Sequence, residues 1–423
     1  MKFKEYKNET LGESIFCGKH SSGLEIRVIP KKDYKSAYAL FAVKYGSVDV
    51  WLGDDKGKYK KIPEGTAHFL EHKLFESEEI DAFQLFERTG AYANAYTSFE
   101  QTAYLFKGSD NIDVSLGYLL DFVQNPYFTA ETVQKEQGII GQEIMMYKDS
   151  PDWVILFNLL GCLYKSNPVK IDIAGTPESI AQIDDKLLHK IYDTYYNPSN
   201  MILSIAGNVD PEKIFDQVSK AIIRKKKAVP ERKFEKESGK AVSKYVEQKF
   251  PVGKKQFYLG YKEELKEPLV KLEDDYATAI YAEALFGSST DFFKKLVDGG
   301  LVDMDLSASL FCGYGYSTFI ISATSENPEK AVKAIKDEIK KAQKTGVSKE
   351  AFERAKRKIY GRAIMSYNDI EYLSNLQTGL YFEGYKPFAE IDAIKKVTLD
   401  RVNKRLDLLK EASCALSVIT PLD

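Results

Sequence analysis

Residues Thr66 to Glu76 read TAHFLEHKLFE, and the two histidines in this stretch decide how the rest of the chain is read. The stretch follows Pro63 and Gly65, and Ala67, Leu70, Leu74 and Phe75 recur at helical spacing, so it predicts a short helix. At about 100° per residue, His72 lies about 40° round from His68 and one turn further on. Both imidazoles therefore leave one face and can share a cation. Glu71 borders that face, where its carboxylate can hydrogen-bond a metal-held water instead of ligating, the role of a general base. Chance is a poor source of the pattern. The chain has four histidines, at 20, 68, 72 and 189, and roughly 0.03 pairs four residues apart are expected at random, before an acid between them is required. His20 and His189 stand alone in polar contexts and read as surface residues.

Two histidines do not complete a catalytic zinc site, which normally takes three protein ligands and leaves a position for water. The segment VQKEQGIIGQEIMMY, residues 133–147, offers Glu136 and Glu143 seven apart on one helical face, with Val133, Ile140, Ile144 and Tyr147 as its buried stripe. One carboxylate can ligate while the other supports. Glu143 is read as the ligand and Glu136 as the acid that holds a ligand in place. The order H-x-x-E-H is the reverse of the more common zinc-protease pentapeptide.

A second copy of this downstream segment lies 219 residues further on. Thr129-Ala-Glu-Thr-Val through Ile144-Met-Met aligns with Ser348-Lys-Glu-Ala-Phe through Ala363-Ile-Met, and Leu203-Ser204 is echoed by Leu416-Ser417. In the copy Glu136 becomes Ala355 and Glu143 becomes Arg362, so helix formation alone does not demand acids there. Between the copies, RKKKAVPERKFEKESGK at 224–240 carries eleven charged side chains in seventeen and reads as a linker. The expected organisation is α+β, with a zinc-bearing half at 1–228, a linker at 229–240 and a homologous non-catalytic half at 241–423. A length of 423 residues agrees with two to three domains. Lys plus Arg at 60 against Asp plus Glu at 62 excludes a broad basic footprint for nucleic acid or an anionic membrane surface. The most apolar stretch, Trp153 to Tyr164, is interrupted by Asn158 and is too short to span a bilayer. Four scattered cysteines argue against a disulfide framework, and a reducing cytoplasm is the expected location.

Through HFLEH and the downstream EQGIIGQE the sequence resembles the inverzincin metallopeptidases of the pitrilysin and mitochondrial-processing-peptidase type, family M16. The segment ANAYTSFEQTAY at 93–104 is similar to that family's edge strand after the zinc helix. The resemblance implies a LuxS/MPP-like metallohydrolase fold, with each half made of two related αβ units and the halves forming all or half of a clamshell chamber. It implies Zn2+ held by His68, His72 and Glu143, Glu71 as general base, and Glu136 in support. It also implies that an extended peptide adds a strand beside Asn94, Ala95, Tyr96 and Thr97, with Tyr96 and Phe99 lining an apolar pocket. Active single-chain relatives carry an Arg and a Tyr seven apart in the second half. Here FFKKLVDGGLVD puts Leu296 and Asp303 at those places, so the resemblance implies the zinc-bearing subunit of a heterodimer whose paralogous partner supplies the pair, with a homodimer also open. The implied activity is zinc-dependent cleavage of unstructured peptides. The alternative is a catalytically silent scaffold or assembly subunit of the same fold.

Overall fold

The computed structural model describes every residue except 55, 79, 234 and 423. The strands of the first half are β1 (Phe3–Asn8), β2 (Glu13–Lys19), β3 (Glu25–Pro30), β4 (Ala37–Val43), β5 (Trp51–Gly53), β6 (Tyr59–Lys61), β7 (Tyr92–Thr97), β8 (Thr102–Gly108) and β9 (Met201–Gly207). Those of the second are β10 (Tyr245–Phe250), β11 (Gln256–Lys262), β12 (Ser307–Gly313), β13 (Tyr316–Thr324) and β14 (Cys414–Pro421). One sheet has the order β1-β2-β3-β9-β4-β8-β7 and another the order β10-β14-β11-β13-β12, while β5 and β6 pair separately. β4 and β9 are buried along their whole length, as strands at the centre of a sheet covered on both faces should be, and apart from Ser204 in β9 they are apolar throughout.

The duplication is explicit in the strand order. β3 lies parallel to β9, which is antiparallel to β4, and β4, β8 and β7 continue antiparallel. β10 lies parallel to β14, and β11, β13 and β12 then continue in the same senses. The Leu203-Ser204 and Leu416-Ser417 echo falls in the equivalent strands β9 and β14. The expected α+β organisation in two homologous halves is present, each half carrying one large sheet.

The compact units are not contiguous in sequence. One comprises residues 1–144, 172–233 and 364–389, the other 145–171, 234–363 and 390–423. In each half, two helices follow the strand pair and a third follows them. The series is Ile112–Gln124, Ala130–Lys148 and Pro151–Leu163 in the first half, and Pro328–Thr345, Lys349–Met365 and Ile370–Phe382 in the second. The third member changes sides. Pro151–Leu163 packs on β14, β11 and β10, whereas Ile370–Phe382 packs on β9, β4 and β3. A division at 228/241 thus follows the order of the repeats along the chain, and the cores differ from it by a reciprocal exchange of one helix. Gly260 in β11 fits this arrangement, since a Cβ there would lie 2.9 Å from Leu159 and Leu163 of the incoming helix.

Candidate metal centre

The histidines stand on the helix Thr66–Leu74, whose start is fixed by backbone fit instead of a side-chain cap. Gly65, at φ +84°, takes the left-handed conformation that glycine adopts freely, and a Cβ on it would come within 2.4 Å of the Ala174 carbonyl oxygen. Ser179 Oγ donates to the Glu64 carbonyl at 2.8 Å, tying the same junction to the segment around Gly175. The helix is then buried through Phe69, Leu70 and Leu74, leaving the His68 and His72 face toward the helix Ala130–Lys148.

That second helix buries Val133, Glu136, Ile140 and Ile144 and leaves Tyr147 half-buried, so the acids sit in and beside its apolar stripe. His68 Nε2 is 3.6 Å from Glu143 Oε1, and His72 Nε2 is 3.3 Å from Glu143 Oε2. One ligand atom from each of the three residues lies within 4.8 Å of the other two. Nitrogen and oxygen atoms about 2.0–2.1 Å from one tetrahedral ion stand about 3.3 Å apart, and the two histidine–carboxylate separations are of that size. The His72 ring is oriented from behind, because its Nδ1 is 2.9 Å from Glu136 Oε1. Burial disfavours the charged His72 imidazole, but hydrogen bonds with Glu136 and Glu143 and the charge of Glu71 outweigh it, pushing the pKa up to about 10. Burial likewise opposes the Glu136 carboxylate, yet His72 and the Lys73 cation hold it below the ordinary range. His68 Nδ1 is buried without a hydrogen-bond partner, so the two rings are supported unequally.

Glu71 is buried, which pushes its carboxyl up against the pull of the nearby His68. Thr97 Oγ1 donates to Glu71 Oε2 at 2.7 Å. Thr97 ends β7, the outer strand of its sheet. Ser98 N donates to the Gln101 carbonyl at 2.8 Å, which makes that couple a hydrogen-bonded pair. Antiparallel pairs alternate, so Thr97, Ala95 and Ala93, opposite Thr102, Tyr104 and Phe106, turn their backbone N–H and C=O groups to the outer edge. Consistent with this, Ala95 N–H donates to the side-chain oxygen of Asn94 at 2.9 Å instead of to β8. Tyr96 lies on the opposite face of the strand from Thr97. Its hydroxyl donates to Asn375 Oδ1 at 2.7 Å and receives a hydrogen bond from Gln101 at 2.8 Å.

Sequence reasoning missed two contributors. Lys73 is fully buried and paired with Glu76, and its cation helps to keep the Glu136 carboxylate charged. A lysine beside a histidine on a short helix reads as a solvated charge, and nothing in its neighbours signals otherwise. The Thr97 hydroxyl contact was equally hidden, because it depends on strand register. Leu296 is buried in the core of its unit and Asp303 pairs with Lys254 at 3.0 Å. His189 is exposed, and His20 is partly buried with Nδ1 2.7 Å from Ser22 Oγ. The four cysteines are free, and among the described residues no helix is long and apolar enough to cross a membrane.

The profile described as insulinase, peptidase family M16, matches residues 55–177, and the one described as the peptidase M16 inactive domain matches residues 182–359. A zinc protease of Bacillus subtilis is 40% identical over 407 residues, covering 94% of each chain. The beta subunit of a mitochondrial-processing peptidase of Arabidopsis thaliana is 30% identical over 184 residues, 42% of this chain and 35% of that one. The crystal structure of an M16-like peptidase from Alicyclobacillus acidocaldarius superposes with a TM-score of 0.92 at 34% identity, covering 100% of this chain and 99% of the other.

Proposed function

This chain belongs to peptidase family M16, and from that premise we propose that it is a zinc-dependent endopeptidase whose hydrolytic centre is built on His68, His72, Glu143 and Glu71. The observation that carries the reading is the convergence of the three ligand atoms within 4.8 Å, with the buried Glu71 on the same helix. The B. subtilis relative, named a zinc protease, supports zinc as the metal. A zinc ion held by these residues would supply Lewis-acid polarisation of a water and of the substrate carbonyl. Glu71 takes the proton from that water and passes it to the departing amide nitrogen. Glu136 keeps His72 turned so that Nε2 remains a ligand.

Ala93, Ala95 and Thr97 offer an extended peptide a ladder of main-chain groups beside Glu71, which gives affinity without reading much sequence. Asn94 Oδ1 accepts from the Ala95 N–H at 2.9 Å, a contact that a docking strand displaces. Only an unstructured segment can supply a free strand, so flexible peptides are the substrate class. Tyr96, bonded to Asn375 on the other face, steadies the strand instead of meeting the substrate side chains on the zinc side.

With Leu296 buried and Asp303 paired to Lys254, the place where the resemblance puts an Arg and a Tyr has neither. This favours a paralogous partner that brings them. The subunit designation of the Arabidopsis relative is in keeping with paired chains. The same feature leaves a second reading, a silent assembly subunit. Replacing Glu71 with glutamine tests both: it keeps zinc while peptide cleavage, alone or with the partner, falls about 100- to 10,000-fold. Cleavage at the parental rate with full zinc occupancy defeats the mechanism, and no cleavage by the parent under any pairing leaves the assembly role.

A further inference from the structure

We propose that Thr97 is a positioning residue that fixes the Glu71 carboxylate through its hydroxyl and couples that orientation to the strand edge where peptide docks. The inference rests on the reading of Glu71 as the base. Thr97 Oγ1 has one proton to give. It stands 2.7 Å from Glu71 Oε2 and 3.4 Å from Thr102 Oγ1. A carboxylate can only accept, so the shorter contact takes Thr97's proton, while Thr102 commits its own to the Tyr45 carbonyl at 3.0 Å. Thr102 is fully buried in β8, which leaves this set of groups little room to rearrange.

The consequence for chemistry is a division of labour between the two carboxylate oxygens. Oε2 accepts from Thr97, and Oε1 is the oxygen left to take the proton from the attacking water and return it to the leaving nitrogen. A carboxylate on a free χ2 and χ3 would sample many directions; one hydrogen bond from a β-branched residue on a strand removes most of them. Thr97 sits at a non-hydrogen-bonded pair, so its backbone N–H and C=O face the outer edge while its side chain faces Glu71. A peptide strand that pairs with those main-chain groups therefore settles against the same residue that aims the base.

The test measures peptide cleavage by Thr97→Val and Thr97→Ser, with the zinc dissociation constant of each from chelator competition. Valine keeps the branched shape and loses the hydroxyl; kcat is expected to fall about 10- to 100-fold, with KM and zinc affinity within about threefold of the parent. Serine restores the donor and returns kcat to within about threefold. Should the valine protein not fold, Thr97→Ala carries the same comparison. The proposal is overturned by parental kcat in the valine variant, by serine as slow as valine, or by zinc affinity falling in step with rate. Glu71→Gln in the same assay separates the two levels. If it remains active, the base assignment fails and Thr97's role with it; if it is inactive while valine runs at the parental rate, the Thr97 proposal alone fails.

Discussion

Glu136 shows how one buried acid can govern a neighbouring ring. It accepts from His72 Nδ1 at 2.9 Å and is held in its charged form by His72 and Lys73 against the cost of burial. Glu136→Gln should weaken zinc binding about 10- to 100-fold in chelator competition, because an amide neither orients nor polarises the imidazole as a carboxylate does. In the metal-free protein, His72 holds its proton up to about pH 10. Zinc must displace that proton, so affinity rises with pH: between pH 7 and 8, below the raised pKa, the dissociation constant should tighten about tenfold. A flat pH profile would show that His72 is already neutral in the metal-free protein. At this scale the two histidines and Glu71 were legible in the sequence, because their relation is fixed by the turn of one helix. The Lys73 and Glu76 support was not, since it depends on what a second helix brings alongside.

Among the elements, the helix Thr66–Leu74 depends on Gly65 for its placement. A side chain at φ +84° is strained, and its Cβ would meet the Ala174 oxygen at 2.4 Å. Gly65→Ala is expected to cost about 2–4 kcal/mol in urea unfolding and to impair zinc binding, because the helix must shift to relieve the contact. Unchanged stability would mean that the Ala174 segment yields freely. The other half shows what the same helix pair becomes without a metal. There Glu283, on the helix Leu272–Phe286, pairs with Lys358 at 2.5 Å and with Arg362 at 3.5 Å. Arg362 is the counterpart of Glu143, so an ion pair joins the equivalent helices where the first half gathers ligands. The loss of acids in the repeat, visible in the sequence, is thus a replacement of one link by another.

For the whole molecule, the reciprocal exchange of helices makes each core depend on both halves of the chain. Arg27 in β3 is buried and donates to the Gln377 carbonyl at 3.0 Å, to Gln377 Oε1 at 2.9 Å and to the Tyr385 carbonyl at 3.0 Å. Without the helix Ile370–Phe382 that guanidinium loses its two Gln377 acceptors and the apolar face of β9 and β4 is opened to water, forfeiting the free energy of its burial. Residues 1–228 expressed alone should therefore fail to show a cooperative thermal transition, whereas co-expression with 229–423 should restore one. A sharp transition in the isolated first half would show that the exchanged helix is dispensable.

The sequence by itself determined that His68 and His72 share one helical face, that two acids lie downstream of it, and the fact of duplication. Each rests on spacing along one helix or on a repeat at a fixed offset, and both survive in a linear string. It could not determine that Pro151–Leu163 and Ile370–Phe382 change sides. Their apolar faces call for a sheet to cover, the chain holds two of like order, and only packing selects which one each helix meets. Nor could it place Thr97 against Glu71, since strand register and the approach of helix to sheet put residues 26 positions apart within a hydrogen bond.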